Sequence, residues 1–187
     1  MNIIDTPMDW TALRGQPFEL LQALERRLRA SRLDLTSTET NAWVGLGFRL
    51  HNYWLVTPRE DVREVTVVPR LTRVPGAKPW LCGVANVRGN LLPVTDLAQL
   101  VGLPRVVDSR NRRVLVLNIE GVPTGFLVDE VAGYRQFAPA DQRHELTTNA
   151  AQLAPYLLGG FHRENRDWLV LSLRKLARAD VFAHAGA

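Results

Sequence analysis

Apolar and polar positions begin to alternate near residue 42, and a period of two predicts β-strands. Two short apolar stretches, residues 43–50 and 53–57, flank the turn-like pair His51-Asn52. This arrangement predicts a β-hairpin. A further strand is predicted by the valines that follow, which are Val62, Val65 and Val67.

A second hairpin is predicted later in the chain. Residues 112–119 form an apolar run, Glu120-Gly121 is the turn, and residues 124–128 form the return strand. One more strand is predicted over residues 167–173, after a polar turn.

The two predicted hairpins share one plan, because an acidic segment containing valine follows each of them, at residues 60–62 and 129–131. If this short repeat reflects structure, the body contains two similar small β-subdomains. Many short strands with frequent turns favour barrels over an open sheet. The pattern therefore predicts a mainly β fold.

Residues 1–40 follow a different pattern, so we divide the chain into a leader (1–40) and a body (41–187). Pro17 suits the first position of a helix, and apolar side chains then recur at spacings of three and four, at Phe18, Leu21, Leu24 and Leu28. This predicts an amphipathic helix from residue 17 to about residue 30, followed by a polar linker. Its apolar stripe either packs on the protein's own core or docks on a partner.

Two short helices are predicted in the body from their capping residues. Asp96 precedes an apolar turn that Gly102 ends, and Ser172 precedes a C-terminal apolar stripe.

Composition narrows the class of protein. One cysteine, Cys82, allows no internal disulfide, which fits a reducing cytoplasm. No apolar run reaches the roughly 18 residues of a membrane span, and no signal peptide is recognisable, so we expect a cytoplasmic protein without direct membrane insertion. The net charge of +4 leaves a basic β-barrel that binds nucleic acid as an alternative, although no nucleic-acid motif accompanies the charge.

Catalytic and metal-binding patterns are missing from the sequence. The four histidines lie far apart, Cys82 has no cysteine partner, and there is no nucleophile elbow or phosphate-binding loop. An inert, buried Cys82 is favoured over a nucleophile. We therefore expect no enzyme activity, no metal and no cofactor.

Residues 74–97 are the most distinctive segment. Gly83 and Gly89 are predicted to bracket a tight turn, and Asn86 can hydrogen-bond the local backbone. Arg88 beside Gly89 would then project from a rigid turn, where a guanidinium binds carboxylate with little loss of entropy. The alternative is that Arg88 pairs internally, with Asp96 or Asp129.

This segment resembles the signature of CheW-like domains, in which Gly-Val-x-Asn-hydrophobic-Arg-Gly precedes a strand with Pro-Val-x-Asp-Leu. The flanking positions Val62 and Glu64 match the family's valine-x-glutamate, and residues 125–131 match its Gly-hydrophobic₃-Asp-x-Val segment. The resemblance covers about residues 41–178. The leader looks like the extension found in coupling proteins of the type IV pilus (twitching motility) system.

The resemblance implies two five-stranded SH3-like β-barrel subdomains, with an N-terminal helix and a short C-terminal helix added. It also implies a non-enzymatic adaptor that binds the regulatory domain of a CheA-type histidine kinase and the cytoplasmic tip of a chemoreceptor. Such an adaptor joins membrane receptor arrays only through its partners, and binds no nucleic acid. The implied contact residues are Val62, Glu64, Asn86, Val87, Arg88, Gly89 and Val128.

Overall fold

The computed structural model describes residues 42–104, 110–143, 151–179 and 182. The predicted leader helix and linker lie outside these residues. Strands dominate the described part: β1 Trp43–Leu50, β2 Tyr53–Pro58, β3 Val62–Val67, β4 Leu81–Val87, β5 Asn90–Asp96, β6 Arg113–Leu117, β7 Gly125–Val128, β8 Glu130–Phe137, β9 Gln142–Arg143, β10 Leu157–Arg163 and β11 Arg166–Leu171. Two short α-helices accompany them, α1 Leu97–Leu100 and α2 Leu173–Ala177.

Both predicted hairpins are confirmed, β1 with β2 and β6 with β7. Both helix caps are confirmed as well. The Asp96 carboxylate accepts a hydrogen bond from the Gln99 amide, and the Ser172 hydroxyl accepts one from the Lys175 amide. Each cap satisfies a backbone donor at the first turn of its helix.

The strands form two sheets with matching topology. One has the order β8-β1-β2-β11-β10-β9 and the other β3-β6-β7-β5-β4. In each, the central hairpin pairs in parallel with a strand from elsewhere, β2 with β11 and β5 with β7. Five strands of the larger sheet therefore correspond one to one with the five strands of the smaller sheet. The two-residue β9 is the additional sixth strand of the larger sheet.

The short sequence repeat marks a crossover between these sheets. The acidic segment after the first hairpin leads into β3, which belongs to the five-stranded sheet, and the segment after the second leads into β8, which belongs to the six-stranded sheet. Each hairpin is thus followed by an edge strand of the sheet that contains the other hairpin. Neither sheet is complete without the strand that follows the other sheet's hairpin.

Strands at the centre are buried on both faces. In β6, Leu115 and Leu117 belong to a large core shared by the two sheets, whereas Val114 and Val116 belong to a smaller cluster inside the five-stranded sheet. This explains why the segment is a continuous apolar run and not an alternating one. The six-stranded sheet has its own inner cluster, built around Phe137 and Trp168.

The six-stranded sheet curls until distant strands meet. Phe137 of β8 stacks on Phe161 of β10 with ring centroids 4.5 Å apart, although three strands separate β8 from β10 in the sheet order. Arg163 of β10 donates a hydrogen bond to the Gln136 carbonyl of β8. We call this line of contact between β8 and β10 the aromatic seam.

Candidate functional site

Arg88 and Gly89 form the tight turn between β4 and β5. Their φ angles are 52° and 84°, so both adopt the left-handed conformation that suits a two-residue hairpin. The Asn86 side-chain oxygen accepts a hydrogen bond of 2.8 Å from the Gly89 amide. The predicted role of Asn86 in the local backbone is therefore confirmed.

Gly83 has a different role from the one predicted, because it lies inside β4 and not at the turn. The register of β4 against β5 shifts there, and its φ is 143°. A Cβ atom at this position would lie 2.5 Å from the Thr72 carbonyl oxygen. Glycine is required at this bulge because the segment containing Thr72 bonds closely to β4.

Arg88 pairs with Glu64 of β3, its Nη2 atom lying 2.8 Å from Glu64 Oε2. The Arg88 side chain is 82% exposed, while that of Glu64 is 19% exposed. Since β3 and β4 are opposite edges of their sheet, this pair joins the two edges. Two predicted contact residues thus form one ion pair, in which Glu64 is half-buried and Arg88 is exposed to solvent.

The internal partners predicted for Arg88 were the wrong acids. Asp96 and Asp129 are each 1% exposed, and Arg112 lies 3.3 Å from Asp96 Oδ2 and 3.7 Å from Asp129 Oδ1. Asp129 Oδ2 also accepts a hydrogen bond of 2.6 Å from the His51 amide. Arg112 reaches these carboxylates because it lies largely inside the protein, whereas the tip of a hairpin points away from them.

Two predicted contact residues lie beneath the surface. Val62 and Val128 are 7% and 1% exposed and belong to the shared core. Val62 begins the edge strand β3 on its buried side, and Val128 lies in β7, where every residue is buried. Val87 is half-buried against the inner cluster of the five-stranded sheet. The displayed set is therefore Glu64, Asn86, Arg88 and Gly89, with valines supporting it.

Leu91 was missed by the sequence reasoning. It is the second residue after the turn and is 73% exposed. Grooves of about 620 and 850 Å³ flank it, one lined by Val74 and Val84 and the other by residues 116–124. The signal was available, since alternation along β5 turns Leu92 and Val94 inward and leaves Leu91 outside.

The segment of the chain that contains the turn is cationic. Between Glu64 and Asp96 the sequence has no acidic residue, and it has four basic ones, which are Arg70, Arg73, Lys78 and Arg88. Arg70 and Arg73 line the same groove as Leu91. This combination of exposed leucine and positive charge suits an acidic partner with apolar side chains.

Within the described ranges, no cluster of three or more His, Cys, Asp or Glu side chains is arranged to hold a metal ion. Cys82 is half-buried and packs against the inner cluster of the five-stranded sheet. Among the described helices, none is long and apolar enough to cross a membrane.

Comparison with known proteins gives consistent matches. Residues 44–181 match the family model of the CheW-like domain. Protein PilI of Pseudomonas aeruginosa is 40% identical over 168 residues, which cover 89% of this chain and 94% of that protein. Chemotaxis protein CheW of Bacillus subtilis is 35% identical over 70 residues, 37% of this chain and 45% of that protein.

The crystal structure of scaffolding protein TtCheW from Thermoanaerobacter tengcongensis superimposes with a TM-score of 0.64 at 21% identity. The match covers 74% of this chain and 94% of that one. It supports the fold independently of the sequence motifs.

Proposed function

The chain belongs to the CheW-like domain family, and we propose that it is a non-catalytic adaptor coupling a methyl-accepting chemoreceptor to a CheA-type histidine kinase. The observation that carries this proposal is the exposed Arg88 guanidinium, held by Glu64 at the tip of a two-residue turn. An arginine fixed in this way loses little conformational freedom on binding a carboxylate.

The proposed contact surface is built in two layers. Glu64, Asn86, Arg88 and Gly89 form the outer layer, and Val62, Val87 and Val128 support it from beneath. Leu91 adds an apolar anchor between two grooves. Arginine and aromatic side chains dominate the binding energy at many protein interfaces, so Arg88 is the residue of this surface expected to contribute most.

The proposed partners are the regulatory domain of the kinase and the cytoplasmic tip of the receptor. The adaptor would be cytoplasmic and would join membrane receptor arrays through these partners. Each sheet would form one SH3-like barrel. The two barrels together would then present separate surfaces to which the partners can bind. Coupling then requires the adaptor to contact the partners differently in the kinase-on and kinase-off states.

The proposed pathway is control of type IV pilus twitching motility. Its support is the similarity to PilI, which covers 89% of this chain. Residues 42–187 make up less than 89% of the chain, so the aligned region must include part of the leader. The comparisons give the alternative of a nucleic-acid-binding barrel no support.

A binding assay with purified receptor fragment and kinase regulatory domain from the same organism tests the proposal. We expect the wild-type chain to bind both, and Arg88→Glu to weaken binding to at least one of them by tenfold or more, about 1.4 kcal/mol. Arg178→Glu is the matched control, because Arg178 is also exposed and lies outside the surface. Equal binding by all three proteins would refute the assignment of Arg88.

A further inference from the structure

The aromatic seam of the six-stranded sheet contains a small pocket that the proposed adaptor surface does not use. The pocket has a volume of about 290 Å³, which suits one or two side chains. Arg135 of β8, Arg163 of β10 and Trp168 of β11 line it, together with the neighbouring residues Val44, Tyr134, Gln136, Phe137 and Glu164.

The seam corresponds to the Arg88 turn in the matching topology of the two sheets. In the five-stranded sheet, the β4–β5 hairpin places Arg88 against the edge strand β3. In the six-stranded sheet, the equivalent β10–β11 hairpin places Arg163 against the edge strand β8. An arginine therefore closes each curled sheet at its hairpin.

The two arginines differ in their partners. Arg88 has a carboxylate oxygen at 2.8 Å, the distance of a strong charge-assisted hydrogen bond. The carboxylates recorded near Arg163 are those of Asp141 at 4.0 Å and Glu164 at 3.8 Å, too far for such a bond. Glu164 is also 69% exposed and can turn toward water. Arg163 is therefore hydrogen-bonded to a backbone carbonyl and ion-paired with two carboxylates at longer distances, and no carboxylate within the described ranges makes a short bond to its guanidinium.

Arg135 has no carboxylate partner within the described ranges. Its guanidinium lies over the Trp168 ring, 5.6 Å from the centroid. Its Nε atom is buried and has no hydrogen-bond acceptor in this part of the structure. A buried donor without an acceptor is costly, and the cost is relieved when a ligand supplies one.

We propose that the aromatic seam is a second binding site, which takes the carboxylate side chain of an acidic segment from a partner protein. The carboxylate would accept hydrogen bonds from Arg135 and Arg163 beside the face of Trp168. This site is separate from the Arg88 surface, so it does not depend on the adaptor function proposed above.

The test uses a capped tetraglutamate peptide as the probe and a capped tetraglutamine peptide as the neutral control. Binding to the full chain is followed by NMR, through the Arg135 Nε–H and Trp168 indole N–H resonances. We expect tetraglutamate alone to shift both resonances and to bind more weakly as salt rises. Arg135→Gln and Arg163→Gln should each weaken binding by about tenfold, the effect of one lost charge-assisted contact.

Arg178→Gln removes the same charge from an exposed position outside the pocket and should change the affinity less than twofold. Arg163→Gln guards against misfolding of the Arg135 variant, because the Arg163 side chain is 44% exposed whereas the Arg135 Nε atom is buried. Three results would overturn the proposal: no shift with tetraglutamate, equal shifts with tetraglutamine, or an equal loss of affinity in all three variants. Arg88→Glu should bind the peptide normally, which separates this site from the adaptor surface.

Discussion

Glu64 and Arg88 form an ion pair of 2.8 Å between opposite edges of the five-stranded sheet. Glu64 is mostly buried in its strand, while Arg88 is mostly exposed on its hairpin. The pair therefore has two roles that experiments can separate, which are closing the sheet and presenting a cation to a partner. An ion pair with one member this exposed contributes only about 0.2–1 kcal/mol to stability.

A charge swap separates these roles. Arg88→Glu alone should lower the free energy of unfolding by no more than about 1 kcal/mol and weaken partner binding at least tenfold. Combining it with Glu64→Arg restores an ion pair, so the double variant should recover the lost stability but not the binding. Urea unfolding and a partner-binding assay on the same samples give both quantities. Recovery of binding in the double variant would show that the pair acts only by closing the sheet.

Leu91 is expected to matter for binding and not for folding. It is 73% exposed, so Leu91→Asp should leave the midpoint of urea unfolding nearly unchanged and reduce partner binding by about tenfold, a loss of more than 1 kcal/mol. Leu158→Asp is the matched control, because Leu158 is 53% exposed on the other sheet. If both substitutions weaken binding equally, the loss of affinity comes from the added negative charge and not from the lost Leu91 contact.

Arg112 should be one of the residues most important for stability. It is 13% exposed and lies between the nearly inaccessible carboxylates of Asp96 and Asp129. Arg112→Met removes the guanidinium that lies between these two buried acids and should lower the free energy of unfolding by about 3–5 kcal/mol. Arg110→Met removes the same charge from an exposed site and should change it by less than about 0.5 kcal/mol. Chemical unfolding checks both, and similar values for the two variants would contradict the assignment.

The two glycines near the turn should respond differently to alanine. At Gly89 a Cβ meets no other atom within 4 Å, so Gly89→Ala is opposed only by the backbone angle and should cost about 1 kcal/mol. At Gly83 the same atom would lie 2.5 Å from the Thr72 carbonyl oxygen, so the segment containing Thr72 must move. Thermal melts of the two variants should therefore show the larger loss for Gly83→Ala. The reverse order would mean that this segment does not pack against β4 in solution.

Local structure was predictable where it depends on neighbouring residues. The hairpins at His51-Asn52 and Glu120-Gly121, the caps Asp96 and Ser172, and the bond from Gly89 to Asn86 all involve groups close in sequence. Strand β8 was not predicted, and neither was β10. Gly133 and Gly159 adopt positive φ at irregularities in these strands, which breaks the regular alternation that marks a strand.

The sequence by itself determined the mainly β fold, the family and the tight turn that carries Arg88, because alternation, capping and turn chemistry act over a few residues. Only the tertiary structure decided which acid Arg88 meets, which valines are buried and where Leu91 is displayed. Those outcomes depend on the exchange of β3 and β8 between the sheets and on the curling that brings strand edges together. Contacts between residues distant in sequence form only when the whole chain packs, and no local pattern encodes them.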